Sequence, residues 1–193
     1  MKKIINTIIV VFIFALVIFA CAAPPLEEMQ KARDAVTRAE NDADAVAYAG
    51  NSIVRARDSL TRMQDEADSK NYDAAKEFAI EAINNAEKAI IDGQAAKARS
   101  KAEASALLES LQSLLPETSN AINNARGVPN ILLDFNALTQ DFAGASRVDD
   151  EAEQSFLDGN YQDAVTKGQA ARFILSDINT RINEAAFDTS RKQ

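Results

Sequence analysis

The amino-acid sequence predicts an all-α protein, either an antiparallel helical bundle or a short helical array of about six to seven helices. Alanine is abundant after residue 21, and runs of β-branched residues are absent there, which is typical of helices rather than sheets. Small and apolar residues recur alternately three and four positions apart, the spacing of a helix face that packs against a neighbour.

The first half of the chain carries three such faces. The first consists of Met29, Ala32, Val36, Ala39, Ala43 and Val46, and the second of Ile53, Ala56, Leu60, Met63 and Ala67. We expect a break at Ala49, Gly50 and Asn51, because glycine disfavours a helix interior and asparagine can cap the following helix. The third and longest face follows Asn71 and consists of Tyr72, Ala75, Ala79, Ala82, Ala86, Ala89, Gly93 and Ala96, continuing to Leu107, Leu111 and Leu114.

The second half is predicted to contain shorter helices. Pro116 is typical of the first turn of a helix, and Gly144 with its flanking alanines predicts a break. Ser146 and Asp149 then have the spacing of a helix N-terminal capping box. Two helical faces lie around this break, formed by Ile131, Phe135, Leu138 and Phe142 before it and by Tyr161, Ala164, Gly168, Ala171, Leu175, Ile178 and Ile182 after it.

The two halves resemble each other. In both, an Ala-Gly pair precedes an Asn-Tyr pair, and the tyrosine opens a helix with small residues three, seven and ten positions later. We therefore predict two three-helix units related by duplication, with Tyr161 equivalent to Tyr72 and Gly144 to Gly50. The predicted organisation is a signal peptide at 1–20, a tether at 21–26, helical units at 27–115 and 116–187, and a frayed tail at 188–193.

The N-terminus has the layout of an export signal. Lys2 and Lys3 precede an apolar run over residues 8–20, which is short of the about 20 apolar residues that a membrane-spanning helix needs. Ile18, Phe19, Ala20 and Cys21 then resemble the lipobox of bacterial lipoproteins, although Phe19 is larger than the usual residue there. The resemblance implies cleavage after Ala20 and attachment of diacylglycerol and palmitate-like acyl chains to Cys21. Ordinary cleavage and an uncleaved anchor are the two alternatives.

Two further resemblances concern the helical part. Residues 159–171, GNYQDAVTKGQAA, resemble the second helix of a tetratricopeptide repeat. The segments CAAPPLEEMQKARDAVTRAENDADAVAYAG and KNYDAAKEFAIEAINNAEKA resemble an alanine-rich helical domain of uncharacterised function in bacterial envelope lipoproteins, which often precedes an OmpA-like domain. The likeness implies an envelope lipoprotein and carries over no catalytic residue. No OmpA-like αβ segment follows in residues 101–193.

Composition excludes several functions. Without Lys2 and Lys3 the formal net charge changes from −8 to −10, which opposes nucleic-acid binding. The chain has no histidine, and Cys21 is its one cysteine. The acidic run Asp149, Asp150, Glu151 and Glu153 lacks the ligand spacing of a calcium-binding loop and is predicted to be a solvated helix start. No motif for a nucleophile, a phosphate loop or a metal is present.

Aromatic residues leave two interpretations open. Tyr72 and Tyr161 either stack on a ligand or, as we favour, pack against the preceding turn. Phe135, Leu138 and Phe142 belong to the core or, if exposed, form a partner surface.

The sequence thus predicts a lipid-anchored, periplasm-facing protein of the bacterial envelope, on either the outer or the inner membrane. We expect it to be a non-catalytic scaffold or adaptor that needs no cofactor and binds another envelope protein. The alternative is a periplasmic carrier of a small apolar ligand.

Overall fold

The computed structural model describes residues 23–191, and helices occupy nearly all of that range. No strand is present within it, so the predicted all-α class is confirmed. In chain order the helices are α1 Leu26–Asn41, α2 Ala43–Tyr48, α3 Gly50–Asp68, α4 Tyr72–Arg126, α5 Phe135–Leu157 and α6 Tyr161–Ser190. The last helix passes Asp188, where the frayed tail was expected to begin.

The chain forms two compact units, one up to Gln94 and one from Ala95 onward. The division falls inside α4, so each unit contains part of this helix, whereas the sequence placed the division after residue 115.

The prediction that a helix begins at Pro116 is wrong, because Pro116 lies inside α4. An interior proline costs about 3 kcal/mol or more. Burial of Leu111, Thr118 and Ile122 on either side offsets that cost and keeps the helix continuous.

The first unit packs α1, α2, α3 and the first part of α4 around a core made largely of alanine. Ala32, Ala39, Ala56 and several alanines of α4 are completely buried. Because an alanine side chain is a single methyl group, these helices approach closely. The larger core side chains are Met29, Val36, Ile53 and Met63.

An unpredicted break at Asp42 separates α1 from α2. Asp42 has extended backbone angles (φ −81°, ψ 114°), and its side chain accepts a hydrogen bond of 2.8 Å from the Ala45 backbone N–H. The break changes which face of the chain is buried: Ala45 and Ala49 are in the core. The predicted continuation of the first face through Ala43 and Val46 is therefore wrong, since both are exposed.

The break predicted at Ala49, Gly50 and Asn51 is present, but the N-cap is Ala49, two residues before the expected Asn51. Helix α3 begins at Gly50 after Ala49, whose φ of −131° and ψ of 29° depart from helical geometry. Asn51 lies in the first turn and not at the N-cap.

Gly93 allows α2 to pack directly against α4. A Cβ atom built on Gly93 lies 2.6 Å from the backbone nitrogen of Ala45 and 2.7 Å from its Cα. These are backbone atoms, which cannot rotate aside as a side chain can. Gly93 is thus required by the contact between the two helices rather than by its own backbone angles.

The second unit consists of the rest of α4 with α5 and α6, and its core contains larger residues. One cluster joins Leu107, Leu111, Ala145, Ala171 and Leu175, and another joins Ile122, Ala125, Leu138, Ile178 and Ile182. Two polar contacts connect the helices: Asn179 Nδ2 donates to Thr118 Oγ1 at 2.7 Å, and Arg181 lies 2.7 Å from Asp141 Oδ2.

The break predicted at Gly144 is wrong. Helix α5 runs continuously from Phe135 to Leu157, so Ser146 and Asp149 lie in its interior and do not form a capping box. A single glycine in a helix costs about 1 kcal/mol relative to alanine. Burial of Leu138 on one side of Gly144 and of Ala145 and Ala152 on the other exceeds this cost.

The two units are alike only in part. Tyr72 and Tyr161 each open a helix, as the proposed duplication requires. Gly50, however, begins a helix, whereas Gly144 lies in the middle of one. The equivalence of these two glycines is therefore wrong. The units also differ in their number of helical segments, with four in the first and three in the second.

Substitution of the two interior glycines by alanine is expected to have opposite effects. Gly93→Ala should lower the free energy of unfolding by about 1–3 kcal/mol, because the new methyl group collides with the α2 backbone. Gly144→Ala should raise it by roughly 0.5–1 kcal/mol, because nothing lies within 4 Å of the added Cβ and alanine favours helix.

Urea denaturation followed by circular dichroism measures both changes in the free energy of unfolding. Both substitutions gain the same helix propensity, so the difference between them isolates the effect of the contact at Gly93. Equal stabilisation by both substitutions would contradict the close contact at Gly93.

Candidate functional site

The predicted lipidation site and its flank, Ile18, Phe19, Ala20 and Cys21, lie outside the described residues. Pro25 is buried, and its carbonyl accepts a 3.0 Å hydrogen bond from the Met29 backbone N–H. Helix α1 begins at Leu26, so only residues 22–25 separate Cys21 from folded structure.

The small residues that follow Tyr72 and Tyr161 at the predicted spacing all lie at helix contacts. Ala75, Ala79, Ala82, Ala164, Gly168 and Ala171 are buried. A Cβ on Gly168 would lie 2.7 Å from Leu107 Cδ2, which shows how closely α6 approaches α4 there. These positions are filled by neighbouring helices and leave no room for a ligand.

Tyr161 packs against the turn that precedes it. Its ring lies 5.3 Å from that of Phe156, at an interplanar angle of 60°, and Lys101 Nζ lies 5.7 Å from the ring centre. Tyr161 and Tyr72 are both half-buried at the start of a helix. For Tyr161 the contacts are those of a residue that fixes the turn between α5 and α6.

The stripe of Phe135, Leu138 and Phe142 belongs to the core of the second unit. Leu138 is fully buried, and the two half-buried phenylalanines pack around the cluster that contains Ile122 and Ile178. Of the two interpretations of this stripe, the core is the one that the structure shows, and the stripe does not form an open partner surface.

Asp149 is the one member of the acidic run that is buried. The residue is 6% exposed, and its Oδ1 atom has no hydrogen-bond partner within the described residues. Burial, and after it the negative charges of Glu153 and Asp150, raises the pKa of Asp149 above its ordinary value of 3.8. The expectation of a solvated helix start is therefore wrong for Asp149, which lies in mid-helix on the buried side of α5.

A cluster of three polar side chains, Ser155, Asp163 and Lys167, joins α5 to α6. The Ser155 hydroxyl donates to Asp163 Oδ2 at 2.6 Å and accepts from Lys167 Nζ at 3.1 Å, while Lys167 pairs with Asp163 at 2.8 Å. The Asp163 contact raises the pKa of Lys167, and the hydrogen bond from Lys167 lowers the pKa of Asp163. Because Lys167 thus retains its proton, it is a poor general base for Ser155.

The second unit has a surface groove between α4 and α5, with a volume of about 310 Å³. Its α4 wall consists of Ser105, Leu108, Glu109 and Gln112, and its α5 wall of Glu153, Phe156 and Leu157. A smaller groove of about 230 Å³ lies between α4 and α6 and includes Glu103, Gln169 and Arg172. The larger groove thus combines apolar side chains with two carboxylates and has no basic residue in its lining.

Sequence reasoning missed both Asp149 and the larger groove. The signal for Asp149 was present, because Leu138, Ala145, Asp149 and Ala152 follow one helix face. The break predicted at Gly144 interrupted that face and concealed it.

Among residues 23–191 no helix has the length and apolar content needed to cross a bilayer. In the same range no three or more carboxylates cluster in a way that could hold a metal ion.

A family model described as "Domain of unknown function (DUF4398)" matches residues 27–105. The matched range includes α1, α2 and α3 and the beginning of α4. The predicted resemblance to an uncharacterised domain is confirmed for this part of the chain. Searches of curated proteins and of solved structures gave no significant match.

Replacement of Asp149 by asparagine is expected to stabilise the protein at neutral pH. A raised pKa means that the folded state holds this proton more tightly than the unfolded state, so the wild type loses stability as pH rises from about 3.8 through the folded-state pKa. Asp149→Asn removes the buried charge, and its melting temperature should exceed that of the wild type by a few degrees at pH 7. The difference should shrink as the pH falls.

Thermal melts followed by circular dichroism at several pH values between neutral and mildly acidic measure this effect. The control is Asp58→Asn, which removes the same charge from an exposed position and should leave the melting temperature at pH 7 almost unchanged. A stability gap for Asp149→Asn that stays constant with pH would contradict the charged, buried state of Asp149.

Proposed function

We propose that this protein is a lipid-anchored scaffold or adaptor of the bacterial cell envelope, which holds another envelope protein near the membrane without catalysing a reaction. The observation that carries the proposal is the N-terminal order: two lysines, an apolar run, and Ile18, Phe19, Ala20 and Cys21, followed closely by α1 at Leu26. Two or three acyl chains on Cys21 suffice for stable attachment, because each buried methylene contributes about 0.8 kcal/mol.

The helical part supports a scaffolding role. Within each unit the apolar residues of the helices contact one another in the core clusters, so the units are rigid helical bodies. The residues that remain available for binding therefore lie on helix surfaces, where Ile91 is 65% and Phe173 is 74% exposed.

Catalysis is disfavoured by the state of the polar groups. The chain has no histidine, and Lys167 is an ammonium paired with Asp163 rather than a base. Asp149 has a raised pKa, which is typical of some catalytic acids. It does not line either of the two grooves described above, however, so no substrate site adjoins it there.

The anchor is tested by Cys21→Ser. The wild type should incorporate a palmitate analogue supplied to the cells and partition into detergent, whereas Cys21→Ser should lose the label and accumulate as a larger, uncleaved precursor. Phe19→Ala brings residue 19 closer to the lipobox pattern and is the matched control, which should retain the label. An unlabelled, soluble wild type would refute the anchor and indicate ordinary cleavage.

The scaffold is tested by photo-crosslinking in intact cells. A photoreactive amino acid is placed at one exposed position at a time, such as Ile91, Leu132, Leu157 or Phe173. At least one of these positions should reproducibly capture one particular envelope protein. Absence of any captured protein at all positions would refute the adaptor role. A melting temperature that rises instead with a small apolar compound would indicate a carrier.

A further inference from the structure

The groove between α4 and α5 combines apolar side chains with carboxylates. Leu108 and Phe156 line it, and Leu157 lies beside them with 78% of its surface exposed. Glu109 of α4 and Glu153 of α5 bring a carboxylate to each of its two walls. The groove thus presents an apolar surface with a negative charge on either wall.

Both groove glutamates lack a positive partner among the residues that the structure describes. Within residues 23–191 neither Glu109 nor Glu153 forms an ion pair. Other carboxylates of the second unit do so: Asp163 pairs with Lys167, and Asp141 pairs with Arg181. The unneutralised charge of Glu153 also acts on its neighbour, since it helps to raise the pKa of Asp149. The described part of the chain therefore leaves these two charges unpaired at the edges of an apolar groove.

The exposure of Leu157 is a second sign of a binding surface. Leu157 is the last residue of α5, and it lies beside the half-buried Phe156. A single exposed leucine needs no explanation, but one that continues an apolar groove offers a surface that a partner can cover.

We infer, on the basis of the proposed function, that this groove binds a basic amphipathic segment of the partner protein. An apolar side chain of that segment would fill the space between Leu108, Phe156 and Leu157, and lysine or arginine residues on either side of it would pair with Glu109 and Glu153. The ligand is thus a cationic protein segment with a helical or extended apolar face.

Other occupants fit the groove less well. A purely apolar molecule would strip water from two carboxylates without replacing their hydrogen bonds, which is costly. A nucleic acid would be repelled by Glu109 and Glu153. A metal ion would find two carboxylates from the lining but no third within the described residues.

Peptide binding tests the charge requirement. The probe is a fluorescent helical peptide of leucine and lysine, added to the full lipidated chain in detergent and followed by anisotropy. Glu109→Gln with Glu153→Gln should weaken binding roughly five- to tenfold, because both exposed ion pairs with the peptide are lost. The control pair, Glu117→Gln with Glu184→Gln, removes the same charge from exposed positions outside the groove and should weaken binding less than about twofold.

A second pair of variants tests the apolar requirement. In the wild-type background, Leu157→Ser should abolish most of the affinity for the peptide. Leu132→Ser should not, although Leu132 is equally exposed at 81%. Neither residue is buried, so both variants should fold, which unchanged melting temperatures would establish. Equal weakening by both glutamate pairs would overturn the groove and leave only attraction to net charge. Equal weakening by both serine substitutions would overturn it as well, because Leu157 would then matter no more than an exposed leucine elsewhere.

Photo-crosslinking in cells separates this inference from the proposed function. A photoreactive residue at Leu157 should capture a protein segment that contains lysine or arginine beside an apolar residue, and the capture should be lost when Glu109 and Glu153 are replaced by glutamine. Capture at Leu132 or Phe173 but not at Leu157 would overturn the groove and leave the scaffold intact. Capture of a segment without basic residues, or of a lipid, would likewise overturn it, and absence of capture at every position would overturn both.

Discussion

Close contact between helix backbones is the constraint on which the first unit depends. Alanines occupy the buried face of each long helix there, and at Gly93 even a methyl group is too large for the contact with α2. A small side chain buries little apolar area, so each such contact contributes little by hydrophobic transfer. Stability must come from the many atoms that the close approach brings into van der Waals contact, together with a few larger side chains such as Met63 and Ile53. A core of this kind tolerates enlargement poorly.

The second unit combines larger apolar side chains with polar contacts that align its helices. Thr118 is fully buried and receives a hydrogen bond from Asn179, which joins α4 to α6 at one level. Arg181 and Asp141 join α5 to α6. The cluster that contains Ser155 joins the same two helices nearer the turn between them. Exposed ion pairs contribute about 0–1 kcal/mol each, so these contacts define the relative position of the helices more than they stabilise the unit.

Sequence reasoning predicted the buried faces more accurately than the helix ends. Periodicity depends on many residues at once, and the faces of α3, α4 and α6 are buried as it indicated. Helix ends depend on single residues whose local preference the tertiary packing can exceed, which is why Gly144 and Pro116 lie inside helices. At Asp42 the opposite occurred, since an apparently continuous face concealed a capping residue. The groove could not be predicted at all, because its walls come from helices that only the folded unit brings together.

The proposed groove binds weakly by itself, and the proposed anchor would raise the effective concentration of the partner near it. Two exposed ion pairs and one apolar contact give only modest affinity, which would be too weak to hold a partner that diffuses freely. The proposed lipid on Cys21 would confine the chain to a membrane surface, with residues 22–25 as the connection to α1. If the partner is held at the same membrane, its effective concentration near the groove is far above its average concentration in the compartment. Weak contacts then suffice for occupancy, and the charges of Glu109 and Glu153 serve mainly to select a basic segment over the acidic and neutral ones around it.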